Sequence, residues 1–305
     1  MENIWIPAFA GMTTPFLDSI FEIKICFMSS IRQELKEYGL TPKKRLGQNF
    51  LVDRNIQNKV IRTAEVAKGD IILEVGPGLG EMTLALALQA KKVIAVEIDS
   101  KLVAILEKKM RGHPNVEVVK SDILKFDFDQ FLKREGYPIK VVANLPYQIS
   151  TPLLFRFIES KDVFSTFTLM LQREVAERMV APPGRKEYGP LSIFIQLSFD
   201  LTIRFFIKPS AFFPPPKVDS ALVHMAWREE PLAETIDEEW FKRVVKACFG
   251  YRRKTLVNSL KHSGLVLPES MELRMKGIGI DPQRRPETLT IQEFAALAKA
   301  LKTQK

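Results

Sequence analysis

Three strand ends and one short turn carry the residue types from which a chemistry can be read. The first is Gly76-Pro77-Gly78-Leu79-Gly80, which follows the apolar run IILEV at 71–75. Glycines at a strand-to-helix turn let a ligand approach the backbone closely, where a doubly wound sheet binds its cofactor. A dinucleotide fingerprint needs G-x-G-x-x-G. Here the third glycine comes one residue early, Glu81 stands where the last glycine belongs, and Pro77 lacks an N–H. The spacing argues against NAD. The second strand end is Glu97, 21 residues after Gly76. A carboxylate there can accept both hydroxyls of a ribose, although a solvated strand-end acid would look the same. The third is Asp122, just after VEVVK at 116–120, placed to accept from the exocyclic amine of an adenine. Together these describe a pocket for an adenosine without a pyrophosphate, as in S-adenosylmethionine.

The turn is Asn144-Leu145-Pro146-Tyr147, at the end of the run IKVVANL. N6 of an adenine is a poor nucleophile because its lone pair is delocalised into the ring. Two acceptors on its two hydrogens localise that pair. The Asn144 side-chain oxygen and a backbone carbonyl at Leu145 or Pro146 can supply them. Pro146 stiffens the turn, and Tyr147 offers a face for the target base. This is positioning plus preorganised electrostatics, with no strong general base. A helix start at Ser150-Thr151-Pro152 explains a turn here but not the Asn and the Tyr. A base inside folded RNA or DNA must first be swung out, and it then needs a second aromatic wall. Phe212, opening Phe212-Phe213-Pro214-Pro215-Pro216-Lys217, is the candidate, with Lys217 meeting a phosphate; a core position is the alternative.

Two basic segments flank this chemistry. In KKRLGQNFLVD (43–53), Asn49 and Leu51 can close over the methionine end of the cofactor, with Lys43, Lys44 and Arg45 facing nucleic acid. Trp240–Lys261 reads as one helix with seven Lys/Arg and no Asp/Glu, including Arg252, Arg253 and Lys254 in sequence. A basic helix face suits an RNA backbone; a solvated face is the plainer reading.

The elements that must position these groups are legible as alternating runs. IILEV, VIAVEI (93–98), VEVVK, IKVVANL (139–145) and TFTLMLQ (166–172) alternate with helical stretches such as Glu81–Ala90 and Ser100–Arg111. That pattern predicts an α/β fold, a parallel sheet covered on both faces. LTIRFFI (201–207) and ALVHMAW (221–227) are joined without a helix, so the last strand should run antiparallel. REEPLAETIDEE reads as a boundary, followed by helices over Trp240–Lys261, around Glu269–Lys276 and over Ile291–Lys302, the last opened by a Thr290/Glu293 capping box. Residues 1–28 lack helical periodicity and are expected to be a non-native or disordered extension, with Met28 the functional start. The expected division is therefore 1–28, then 29–230 as the catalytic domain, then 231–305 as a small all-α RNA-binding domain.

Bulk properties agree. The 305 residues are 46% hydrophobic, enough for a sizeable core, and the net charge of +9 favours a polyanionic partner. Cys26 and Cys248 are too few for a disulfide framework and lack metal spacing, which fits a reducing cytoplasm and predicts no metal. No run of eighteen apolar residues suggests a membrane span.

GQNFL, EVGPGLGEMT, the Glu97 strand end, SDIL, NLPY and PPPKVDSA, in this order and spacing, resemble the rRNA adenine N6-dimethyltransferases, most of all the bacterial 16S rRNA enzymes. The resemblance runs from about Ser29 to Leu301. It implies a Rossmann-like class I methyltransferase domain with a small helical C-terminal domain and S-adenosylmethionine as cofactor. It further implies dimethylation of two adjacent adenosines in a hairpin loop near the 3′ end of 16S rRNA, in the assembling small subunit, by a monomer. Carried over, Asn49, Leu51, Gly76, Gly78, Glu97, Asp122 and Asn144 hold the cofactor. Asn144, Leu145, Pro146, Tyr147 and Phe212 form the adenine site. Gly250-Tyr251 stands where the resemblance implies a polar pair, and residues 1–28 match nothing in the family. The rival readings are a large-subunit rRNA methyltransferase conferring antibiotic resistance, a nucleic-acid-binding assembly factor without catalysis, and a small-molecule methyltransferase, which would need neither the charge nor the acid-free helix.

Overall fold

The computed structural model describes residues 31–135, 138–235, 237–251 and 253–302; the extension expected over 1–28 and the candidate Arg252 lie outside the described residues. The chain divides into two units, one ending at Pro42 and containing the helix Ile31–Glu37, the other running from Lys43 to Lys305.

The second unit contains β1 (Phe50–Leu51), β2 (Ile71–Val75), β3 (Lys92–Glu97), β4 (Val116–Lys120), β5 (Ile139–Asn144), β6 (Phe164–Gln172), β7 (Phe199–Ile207), β8 (Phe212–Phe213) and β9 (Ser220–Trp227). All seven runs singled out in the sequence become strands of one sheet, ordered β4-β3-β2-β5-β6-β9-β7. β2 to β6 pair in parallel, and β9 runs antiparallel to both neighbours, as its helix-free connection to β7 predicts. Alternation inside these apolar runs sends residues to two cores. Leu73, Val75, Val141, Leu169 and Val223 pack with the helices Ser150–Glu159 and Pro190–Ser198. Ile72, Val142, Met170 and Leu222 pack on the other face with Val60 and Ile61 of the helix Arg54–Ala64 and Leu86 of Glu81–Ala87.

The first of these cores continues into the C-terminal helices. The Phe194 and Phe241 rings lie 6.1 Å apart, and Leu232 N–H donates to the Leu197 carbonyl. The Thr290/Glu293 capping box closes at the start of the helix Ile291–Leu301. The long basic helix does not form as one piece. It is two helices, Glu238–Cys248 and Leu256–Lys261, separated by a turn in which Arg253 has a positive φ of 72°. The break lets both pieces bury an apolar face, Phe241, Val244 and Val245 on one, Leu256, Val257 and Leu260 on the other. Arg253 and Lys254 are exposed in this turn, so any basic contact they make comes from a loop rather than a helix face. Among the described residues, no helix is long and apolar enough to cross a membrane.

Candidate active site

The sheet order reverses beside β2: its sequence successor β3 lies on one side and β5 on the other. The crevice outside the carboxyl ends of strands at such a point is where open α/β sheets bind ligands. The glycine turn and the Asn144 turn meet there. Gly76, Gly78 and Gly80 all have positive φ, at 67°, 62° and 89°. Space matters at two of them. A Cβ on Gly78 would stand 3.0 Å from the Phe50 ring, and one on Gly80 would collide with Leu106 Cδ1 and come within 3.0 Å of Met110 Cε. Gly80→Ala therefore combines backbone strain with overpacking, and urea unfolding should show a loss of about 2 kcal/mol.

Glu97 ends β3 with only 5% exposure. Burial pushes its carboxyl up, while the backbone N–H groups of Asp99, Gly78 and Ile98 oppose that shift. The bond from Asp99 N–H is 2.8 Å. Glu97 thus ties its strand end to the glycine turn, and a carboxylate retains lone pairs for further donors. Asp122, at the end of β4, accepts from Leu124 N–H at 3.0 Å through Oδ1.

Asn144 is oriented by the segment that precedes the sheet. Its Nδ2 donates to the Asn49 carbonyl at 2.9 Å. The same segment is pinned again where Gln148 Nε2 donates to the Lys44 carbonyl at 3.3 Å, and Gly47 lies against Pro146. The Pro146 carbonyl accepts from Ile149 N–H at 3.1 Å and from Ser150 Oγ at 3.2 Å. Tyr147, half-buried, bonds Ser220 Oγ through its hydroxyl at 2.5 Å. Burial pushes that phenol further up, opposed by Ser220, so it stays neutral at physiological pH. The ring is held at both ends of its residue, by the turn and by β9.

Two expectations need correction. Phe212 is 1% exposed and packs with Val60, Ile207 and Leu222, so it is not an open wall for a base in this structure. The reason is the short ribbon in which Leu51 pairs with Phe212 and Phe50 with Phe213. Adjacent strand residues face opposite ways, so burying Phe212 turns the partly exposed Phe213 to the other side. Lys43 does not simply face outward. Its ammonium pairs with the buried Asp99 at 2.7 Å. Burial alone would raise Asp99, but Lys43 and Gln48 outweigh it and hold the carboxyl below the usual carboxylate range. Lys44, Arg45 and Lys217 are exposed. Leu51 packs partly into the same core as Phe212.

One residue that sequence reasoning missed lies under the glycine turn. Glu74 on β2 is fully buried, and neither carboxylate oxygen has a hydrogen-bond partner among the described residues. Burial, with the Glu81 and Glu97 carboxylates adding to it and Thr83 opposing, pushes it up to about 8. Nothing in IILEV singles it out beyond one acid in an apolar run.

Backbone left bare at Gly76, Gly78 and Gly80, carboxylates at two neighbouring strand ends and an orphaned buried acid on β2 suit a nucleoside-bearing cofactor. The comparisons agree with that geometry. The ribosomal RNA adenine dimethylase profile matches residues 39–303. Proteins named ribosomal RNA small subunit methyltransferase A are similar in sequence. The one from Geobacter metallireducens is 47% identical over 86% of this chain and 96% of its own. The one from Shouchella clausii is 46% identical over 88% and 92%. Among solved structures, a dimethyladenosine transferase from Plasmodium falciparum superposes with a TM-score of 0.68 at 29% identity, covering 81% of this chain and 95% of that one. The 23S rRNA methyltransferase ErmE gives 0.63 at 28% identity, covering 83% and 99%. The chain therefore belongs to the ribosomal RNA adenine dimethylase family.

Proposed function

We infer that the protein dimethylates N6 of two adjacent adenosines in a hairpin loop near the 3′ end of 16S rRNA, acting as a cytoplasmic monomer on the assembling small subunit. The observation that carries this is the Asn144 amide. Its nitrogen is committed to the Asn49 carbonyl, so its oxygen is left for an amine. The Pro146 carbonyl is already taken twice, which makes Leu145 the backbone acceptor of choice. In the first transfer two oxygens of one stiff turn accept hydrogen bonds from the two N6–H groups and favour the tetrahedral nitrogen of the transition state without reorganisation. The methylated nitrogen then loses one proton to water. In the second transfer the one remaining N6–H is held in the same way and its proton leaves likewise. Tyr147 stacks the extruded base.

The cofactor is S-adenosylmethionine, held by Gly76, Gly78, Glu97 and Asp122, with Asn49, Leu51 and Asn144 at its methionine end. When bound, it supplies an electrophilic methyl on a sulfonium that departs as a neutral thioether. Lys44, Arg45, Lys217, Arg253 and Lys254 would meet the RNA backbone. The names of the sequence relatives favour the small subunit over the large one.

The test is transfer of labelled methyl groups to purified ribosomal subunits that lack the mark. Small-subunit particles should accept four methyls each, recovered as dimethyladenosine. Label in the large subunit would transfer the assignment to the resistance class, and binding without label would leave an assembly factor.

A further inference from the structure

Phe206 is a large ring, 46% exposed, on the last strand of the sheet. Its neighbours in β7 are absorbed: Leu201 and Ile203 pack on one core and Phe205 on the other. A bulge between Ile203 and Phe205 changes the alternation there, and Phe206 comes to pair with Ala221 of β9. The Arg173 guanidinium lies over the ring, 4.6 Å from its centroid. Arg173 is itself steered by Glu177 at 2.7 Å and by Asp219 at 3.8 Å, and Asp219 also holds Lys208 at 2.9 Å.

This group is continuous with the adenine site. Asp219 precedes Ser220, the residue that fixes the Tyr147 hydroxyl, and its carbonyl accepts from Arg173 N–H at 2.9 Å. Three strand spacings, about 14 Å, separate the end of β5 from β7 along this rim. An aromatic face next to exposed cations is the arrangement that binds unstacked nucleotides, the ring taking a base and the cations the backbone.

We propose that Phe206, with Arg173 stacked on it, is a second base platform that holds a nucleotide flanking the target adenosine. The proposal rests on the rRNA substrate inferred above, though not on which subunit carries it. Extruding one base from a loop leaves its neighbours unstacked. A platform beside Tyr147 replaces the lost stacking and fixes the strand's direction across the site. Arg173 keeps its charge whether it lies on the ring or turns to a phosphate.

The experiment compares Phe206→Leu, Phe206→Trp and Arg173→Gln on whichever ribosomal particle the wild-type protein methylates or, failing transfer, binds. Phe206→Leu should raise KM and the dissociation constant for the particle about tenfold, the size of one lost base stack, with kcat and adenosylmethionine affinity unchanged. Phe206→Trp should stay within about twofold of wild type, because it keeps a π face. Arg173→Gln should weaken binding and flatten its salt dependence. Equal particle affinity for wild type and Phe206→Leu overturns the proposal. So does equal weakening by Leu and Trp, which would mark Phe206 as local packing under Arg173. Loss of the small-subunit assignment is read separately, from which particle the wild type labels.

Discussion

Asn144→Ala should lower kcat for methyl transfer by about 10² to 10³, the range seen when one preorganised group is removed from a developing charge. Binding of the ribosomal particle should change little, because the side chain faces a crevice at the end of β5 rather than the basic surface. The substitution removes two things, the oxygen intended for N6 and the 2.9 Å bond to the Asn49 carbonyl. Asn144→Asp separates them. It keeps an acceptor for N6 but sets a carboxylate against the Asn49 carbonyl, where two acceptors repel. Single-turnover transfer with saturating particle should therefore rank wild type above Asp and Asp above Ala. Adenosylmethionine affinity should fall in the Asp variant, through displacement of the segment around Asn49. Full turnover in Asn144→Ala would remove the proposed role and leave the turn as a structural helix entry.

The parts of this site that could be read in the sequence are those set by local chemistry. Glycines with positive φ, a strand ending in an acid and the Asn-Leu-Pro-Tyr turn each act through neighbours in the chain. The strands were legible for the same reason, as β-branched runs bounded by turn residues. What stayed hidden depends on long-range pairing. Lys43 meets Asp99 across 56 residues of sequence, and no local signal forecasts it. Which of Phe212 and Phe213 enters the core is decided by the register of a two-residue ribbon with Phe50 and Leu51. A shift of one residue would exchange them. The basic helix misled because seven cations and no acid describe charge, not continuity. The chain breaks around Gly250 and Arg253 so that two short helices can each reach the core.

Glu74 predicts a distinctive pH dependence of stability. Its carboxyl ionises near 4.5 in an unfolded chain and at about 8 in the fold. Between those values the unfolded state gives up the proton while the native state keeps it. The native state then binds more protons, and stability must fall as pH rises through this window. Below it both states are protonated and the acid is carried at little cost; above about 8 both are ionised and the fold holds a buried, unpartnered charge. At about 1.4 kcal/mol per pH unit, the loss across the window is on the order of 5 kcal/mol. Glu97, also raised by burial, and the Lys43–Asp99 pair titrate in wild type and variant alike. Comparison with Glu74→Gln therefore isolates the one group. The amide costs stability for its own buried donors, but equally at every pH. Urea unfolding should show the variant gaining on wild type from pH 5 to about pH 8 and the gap levelling off above that. A gap between them that does not change with pH would mean that Glu74 is already ionised in the folded protein, and hence that a cation or donor reaches it beneath the glycine turn.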